Sequence, residues 1–506
     1  MEMIDNSTVD GAADIMKARL KAVLSDPERA HTATTVIVPS LTVHPDELRK
    51  FPGAIHFEQR LLFELSRLTV PEARVVYVTS RQIDPDILAY TLDAIPGLSG
   101  MDLTDRLHML DCGDDTARPL TEKVLQNPEL IERIRQALPD PAAAYLVTYN
   151  STAAERDLAH QLGIPLYSCD PDLQKIGNKS RGRQLFRSTG VATPSGFEDL
   201  HSEEALIGAL AALKQADPGL RRAVIKLNES FAGAGNAVFT FSSGEAPDSP
   251  DLISRKLRQE VQPPGDDWTG FVQKLTVMGG IVEEYLSTEG LQSPSAQLLI
   301  HPAGTVHVIS THDQILGGAD DQTFVGCSFP AHESYRRRVR EAALIIGREL
   351  ADHGVIGHLS IDFLADALDP DAAVTALEIN LRRGGATAPF HFINTVVGGD
   401  HDDVSGDYQG RDGLPRAYVA SDRIHVPDLV GTTVKELVSA TITAGLHYDP
   451  ETQTGTLLFA LGALAEFGKY GLVAIGRSPQ EARDFYDRTL ATVQECALGN
   501  VVVRSS

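Results

Sequence analysis

Cysteine is scarce in this 506-residue chain: Cys112, Cys169, Cys327 and Cys496 are its four, and they stand far apart. No CxxC pair and no Cys/His ligand spacing occurs, so neither a disulfide framework nor a structural zinc site is expected. A reduced, cytoplasmic setting is the simplest reading. Positive charge is also in short supply. Lys and Arg number 45 against 69 Asp and Glu, for a formal net charge of −24. Non-specific nucleic-acid binding needs clustered cations against phosphates, so no nucleic-acid partner is expected. Acidity at this level bears on solubility more than on fold. Long apolar runs are missing as well, and no stretch reaches bilayer-spanning length, which argues against a membrane partner. The first residues, "MEMIDNSTVDGAADIMKARLKAVL", carry early acids and no apolar h-region, so a secretory signal is not expected. Internal repeats and low-complexity tracts are absent.

What is present is the composition of a globular protein, with length for roughly two to four domains. Over residues 31–170, β-branched runs ("TTVIVPS", "ARVVYVTS", "AAYLVTYNS", "IPLYSCD") alternate with stretches of helical periodicity ("HFEQRLLFELSRL", "LTEKVLQNPELIERIRQAL", "TAAERDLAHQLG"). This alternation predicts an open, mostly parallel α/β sheet for a first domain, 1–174. In such sheets ligands collect at the carboxyl ends of the strands, where "PS", "TS" and "YNS" fall. Each taken alone is also an ordinary connecting turn. From Lys175 the texture changes to a polar stretch, a helix, and then longer strands joined by hairpin-like turns. Residues 175–397 therefore read as an α+β domain built on an antiparallel sheet. The stretch 398–419 is turn-rich and expected to be an exposed loop. The remainder of a C-terminal α+β region, 398–506, holds one helix ("TTVKELVSATITAG"), a β pair and a closing helix with Ser-x-x-Glu capping chemistry at Ser478.

The stretch Ala376 to Gly385, "ALEINLRRGG", places Glu378, Asn380 and Arg382 at every second position. In a strand these share one face while Ile379 and Leu381 pack behind. A preceding run, "GHLSIDFLAD", offers Asp362, which an antiparallel pairing sets opposite Glu378. Two facing carboxylates repel, and a hard divalent cation such as Mg²⁺ removes the conflict. Arg382 would then meet a phosphate in bidentate fashion. Taken alone, such a face is also what a surface salt-bridge ladder looks like. Earlier, "RRAVIKLNESFAGAGNAVFTF" ends a strand with Lys226 and runs through a Gly/Ala/Ser/Asn loop into another strand. Such a loop can close backbone N–H groups over phosphates. It is neither a Walker A loop nor a dinucleotide fingerprint, because Gly233-x-Gly235 lacks the third glycine and leads into a strand. "GGIVEEYLSTEG" has the form of an adenine-binding hinge, with an acid, backbone groups and apolar neighbours around a ring.

The order of these signals matters more than any one of them. Lys179 ahead of a helix, Lys226 with Gly233 and Gly235, the hinge Glu283 to Leu286, then Asp362 and Glu378-x-Asn380-x-Arg382 resemble the ATP-grasp ligase superfamily across roughly residues 175–395. The resemblance implies that Lys179 and Lys226 contact ATP phosphates and that Glu283, Glu284 and Leu286 bind adenine. Glu289 would be the ribose acid, Asp362, Glu378 and Asn380 would hold Mg²⁺, and Arg382 would stabilise the transferring phosphoryl group. Further segments narrow it: "IVPSL", "LDCGDD", "AERDLAHQLGIPLY", the long "SPSAQLLIHPAGTVHVISTHDQILGGADDQTFVGCSFPA" and "FGKYGLVAIGRSPQEA". Together these are similar to the peptide ligases of pheganomycin-type biosynthesis, with a pre-ATP-grasp domain ahead of the ATP-grasp fold.

That resemblance implies ATP and Mg²⁺ as cofactors, a small carboxylate donor, and the amino end of a peptide as acceptor. The donor becomes an acyl phosphate and an amine then displaces phosphate, a reaction that needs positioning and charge neutralisation. The loop Glu229–Asn236 would double as a lid over the acyl phosphate. His312, Asp313, Gln314 and Arg383 are expected on the substrate side, a buried structural histidine being the competing reading for His312. The loop with Asp320 and Asp321 belongs to the same side. Two alternatives stand beside this: a ligase of two small metabolites, which shares every ATP-site residue, and a non-catalytic ATP-binding regulatory module. A homodimer is compatible with such folds, but no residue signals one.

Overall fold

The computed structural model describes residues 6–229, 235–243, 248–317, 323–369 and 371–504. The first domain is built on four parallel strands, β1 (Thr34–Val38), β2 (Arg74–Thr79), β3 (Leu107–Asp111) and β4 (Ala144–Thr148), in the order β3-β2-β1-β4. Helices cover both faces, so β1 and β4 are buried at every position and read as continuous apolar runs. The run "IPLYSCD" forms only a single bridge, Leu146 to Leu166. Pro165 has no N–H to extend a ladder, and its carbonyl accepts from Leu146 N instead. The fourth strand comes from the half-buried edge segment Leu107–Asp111. The expected helix over "LTEKVLQNPELIERIRQAL" is two helices, Leu120–Leu125 and Pro128–Gln136, because Asn127 caps the second with Pro128 at its first position.

The carboxyl ends of these strands are largely occupied by internal bonding. Ser80 N donates to Glu58 at 2.6 Å, and Lys123 Nζ donates to Ser80 Oγ at 2.8 Å. Asn150 and Thr42 exchange bonds of 2.8 and 2.9 Å. The "TS" and "YNS" ends are therefore structural ties, although Leu41 and Tyr149 beside them reach the cleft described below.

A four-stranded antiparallel sheet follows, with β5 (Gly196–Leu200), β6 (Arg222–Leu227), β7 (Asn236–Thr240) and β8 (Gly280–Glu284) in the order β5-β8-β6-β7. It carries its own apolar core with the helices Glu203–Ala216, Pro250–Glu260 and Trp268–Met278. The large sheet takes β9 (Leu291–Gln292), β10 (Pro294–Ile300), β11 (Val306–Gly317), β12 (Thr323–Phe329), β13 (Gly357–Asp366) and β14 (Thr375–Asn380). The chain then forms a small ribbon, β15 (Asp400–His401) with β16 (Tyr408–Gln409), and returns to the large sheet with β17 (Ala417–His425), β18 (Gly455–Phe459) and β19 (Lys469–Gly476). The order β14-β13-β10-β11-β12-β17-β19-β18 is one sheet, with β9 alongside β13.

Two expectations change here. The sheet runs across position 397, since β12 pairs with β17 through Cys327 and Ala420. The stretch 398–419 is exposed over much of its length, as expected, but it holds the β15–β16 ribbon and is tied down at buried positions. Tyr408 and Arg416 are buried, and the Arg416 guanidinium donates to four backbone carbonyls and to Asp412. First and last segments also share one apolar core, in which Leu61 and Leu65 join Ile393, Tyr418 and Leu472. The closing helix Pro479–Arg504 packs on β17 and β19 and starts as expected, with Ser478 Oγ accepting from Glu481 N at 3.1 Å. Among the described residues no helix is long and apolar enough to cross a membrane.

Candidate active site

A cleft of about 950 Å³ lies where the two antiparallel sheets and the first domain meet. One wall is the β13–β14 pair, registered with Asp362 opposite Glu378 and Ser360 opposite Asn380. Asp362 accepts from Gln314 Nε2 and from Asn380 Nδ2, each at 3.1 Å. Burial, and then the facing Glu378 carboxylate, push Asp362 up to about 6. Burial would also raise Glu378, but Lys179, Lys226 and Arg382 outweigh it and hold Glu378 below its ordinary value. Arg382 lies just past the strand, and its Nη2 donates to Asn380 Oδ1 at 3.1 Å.

Both lysines point at this wall. Lys179 is the first residue of the helix Lys179–Ser188, capped by Asn178, and its Nζ lies 3.6 Å from Glu378 Oε1. Lys226, near the end of β6, donates to Glu283 Oε1. Glu283 is buried, and its other oxygen accepts from Arg183 Nη1 at 2.7 Å. Its carboxylate is thus committed to two cations, and its role is to fix Lys226 rather than to accept an amino group. Arg183 escaped notice in the sequence, although it sits four residues after Lys179 and therefore on the same helix face. Glu284, Tyr285 and Leu286 line the cleft beyond it.

The donor set suits a magnesium ion. Two carboxylates and an amide converge, and each can offer oxygen to a hard cation; burial, and then the facing Glu378, raise Asp362. Among the described residues no group of three His, Cys, Asp or Glu is placed to hold a metal; the set here is two carboxylates with the Asn380 amide beside them.

Comparison with known proteins now becomes decisive. The chain is 30% identical over 477 residues to the L-propargylglycine–L-glutamate ligase of Streptantibioticus cattleyicolor, covering 92% of this chain and 95% of that protein. This chain belongs to the ATP-grasp ligases. A family model described as IQCH-like, ATP-grasp matches residues 172–245 and 248–403, and a PGM1 C-terminal domain model matches 436–489. The ligase is also 21% identical over 397 residues to IQ motif-containing protein H of Danio rerio, across 69% of this chain and 37% of that one. Among solved structures, the Campylobacter jejuni biotin carboxylase in its β-γ-ATP complex matches with a TM-score of 0.53 at 13% identity, covering 90% of each chain. The biotin carboxylase domain of Hydrogenobacter thermophilus 2-oxoglutarate carboxylase, with ADP, its magnesium salt and bicarbonate, gives 0.53 at 12%, covering 91% of this chain and 90% of that one. These two likenesses show the fold.

Other expected residues of the ligase fall in different places. His312 and Gln314 share one face of β11, as alternation requires, and both border the cleft. His312 is nevertheless fully buried among Phe329, Phe390 and Tyr418, bonded to Tyr418 Oη, and burial drives it down to about 3. It is a neutral core histidine. Asp313 points to the opposite face, where it accepts from Tyr335 Oη at 2.7 Å and His332 N at 2.8 Å, so it is removed from the substrate side. Arg383 also turns away from the cleft. It is buried against the first domain, 2.8 Å from Glu64, with its Nε donating to Thr148 O at 3.3 Å. Glu289 is exposed and off the cleft wall. Gly235 is buried at the start of β7, where its carbonyl accepts from Leu227 N at 2.9 Å. Gly233, most of the loop Glu229–Asn236, and Asp320 and Asp321 lie outside the described residues.

Proposed function

We propose that this ligase couples conversion of ATP to ADP to amide-bond formation between two small amino-acid-type substrates, one supplying a carboxylate and the other an amine. The convergence of Lys179, Lys226, Asp362, Glu378, Asn380 and Arg382 on one cleft carries the reading. The name of the 30%-identical relative, a ligase of two amino acids, favours small partners over the amino end of a peptide. The regulatory alternative loses support because every residue of the metal and phosphate wall is in place.

In this reading Lys179 and Lys226 meet the triphosphate, and Glu283 with Arg183 keeps Lys226 extended along β6. The hinge Glu284 to Leu286 borders the adenine. Asp362, Glu378 and Asn380 would hold Mg²⁺, which would neutralise charge on the β- and γ-phosphates. The donor carboxylate attacks the γ-phosphorus, ADP leaves, and an acyl phosphate forms. Arg382 offsets charge on the moving phosphoryl group. The amine then attacks the acyl carbon, expelling phosphate and losing its proton to phosphate or water. No side chain is assigned as general base. A cytoplasmic location and a homodimer belong to the same proposal.

The test is ADP release from the purified chain with Mg-ATP and L-amino acids offered singly and in pairs, with product masses read in parallel. Release that requires two partners and yields an amide mass is expected. Release without an amide product, or from one partner alone, would replace ligation with another phosphoryl transfer.

A further inference from the structure

The cleft is also lined by charged residues outside the set assigned to nucleotide and metal. They are Arg60 from the first domain and Asp422, Arg423 and Lys469 from the last. Three cations against one carboxylate run counter to a chain of net charge −24. The backbone is shaped to put them there. Strand β17 carries an irregularity between Ser421 and Ile424, where the β19 register skips. Regular alternation would send Asp422 and Arg423 to opposite faces, yet Asp422, Arg423 and Ile424 all border the cleft. Bulges of this kind re-aim side chains beside active sites.

The internal bonding leaves much of this charge unused. Arg60 Nε donates to Asp422 Oδ2 at 3.0 Å, and its guanidinium lies 4.0 Å over the Phe57 ring. Arg423 Nη1 donates to Phe324 O at 2.8 Å, and Lys469 Nζ to Pro52 O at 3.2 Å. Among the described residues those two are held only by backbone carbonyls, which carry no countercharge. Burial, and then Arg423 and Arg60, lower the Lys469 ammonium from its ordinary value, as expected for cations gathered without enough anions. Tyr149 lines the same cleft, its ring edge-on to Phe57 with centroids 4.7 Å apart.

We propose that Arg60, Arg423 and Lys469 form a subsite for the unreacted carboxylate of an amino-acid substrate, with Asp422 holding Arg60 in place. The proposal rests on the ligase reading above and names the substrate class it implies: a small molecule that keeps a free carboxylate not consumed by the reaction. A guanidinium suits a carboxylate because its fork matches two oxygens, and a lysine adds a point charge. The carboxylate can belong to the donor, if that is a dicarboxylic amino acid, or to the amine-bearing acceptor.

The experiment uses the full chain, Arg423→Leu and Lys469→Met. Binding of L-amino acids, and of their α-carboxamide counterparts, is measured by titration calorimetry on protein loaded with Mg-ADP. Any pair active in the ADP assay is then followed for KM. Removing one charge-assisted partner is expected to weaken the free acid about 10- to 100-fold. The KM for ATP should stay within about threefold, since neither residue is on the nucleotide wall. The carboxamide should bind wild type as weakly as the free acid binds the variants, and lose little more in them. Blocking the donor or the acceptor carboxylate in turn shows which substrate it belongs to. Equal binding of acid and carboxamide to wild type, unchanged affinity in both variants, or no binding of any acid would overturn the subsite. Intact acid binding with no ADP release from any pair would overturn the ligase reading and leave the subsite standing.

Discussion

At the residue scale, the candidate wall sets two carboxylates against each other and gathers three cations around one of them. Glu378 and Asp362 face across one register pair, and Lys179, Lys226 and Arg382 surround Glu378. Glu378→Gln or Arg382→Ala should cut ADP release at least about 100-fold, the cost of losing charge stabilisation in phosphoryl transfer. Thermal denaturation should shift little, because neither residue belongs to an apolar core. Turnover near wild type in both would remove the assigned wall. Glu283 behaves differently. It is buried between Arg183 and Lys226, so Glu283→Gln removes the carboxylate they share and leaves Arg183 paired with Glu198. A loss of about 3 kcal/mol or more is expected in chemical denaturation, as for other broken buried ion pairs. A loss under about 1 kcal/mol would show that the network is not coupled.

At the scale of elements, the period of a strand separates residues that are neighbours in sequence. On β11, Gln314 donates to Asp362 in the cleft while Asp313 anchors the helix Glu333–Asp352 through Tyr335. Gln314→Ala should therefore lower ligase turnover with little change in Tm. Asp313→Asn should lower Tm and leave the KM for ATP unchanged; the reverse pattern, read from the same two assays, would mean the faces are misassigned. The two arginines after β14 divide in the same way. Arg382 borders the cleft, and Arg383 is a strut to Glu64 on the helical segment Ala54–Thr69. Alternation sets Arg382 apart from Arg383, but "LRRGG" does not show that Arg383 meets Glu64 of the first domain.

At the scale of the whole molecule, the segment Thr387–Val397 and β17 to β19 pack on the first domain around several histidines. Burial lowers His312 to about 3, and His391 and His401 to about 4, from an ordinary 6.5. These groups are neutral when folded and take up protons when unfolded. Their contribution is present above about pH 6.5 and is lost as pH falls through that window toward 4. Stability should accordingly fall between pH 7 and pH 5, by up to about 1.4 kcal/mol per pH unit for each such histidine. Denaturation of His391→Gln across the same range should show a shallower decline. An identical slope would assign the acid sensitivity to other groups.

Much of this was already written in one dimension. The parallel sheet of the first domain, the antiparallel sheets after it, and the face formed by Asp362, Glu378, Asn380 and Arg382 follow from periodicity, because period-2 alternation fixes which side chains share a face. The capping signal at Ser478 likewise marks a helix start through a local bond that needs no tertiary partner. Only the folded structure decided that the C-terminal strands extend the catalytic sheet, that His312, Asp313 and Arg383 serve packing, and that Glu283 is a cation clamp. Only it brought Arg60 to Asp422, 362 positions apart. The reason is physical. Which side chains share a face is a property of the local chain, whereas which faces meet, and whether a charge is met by an opposite charge or left open in a cleft, is settled by contacts between distant segments.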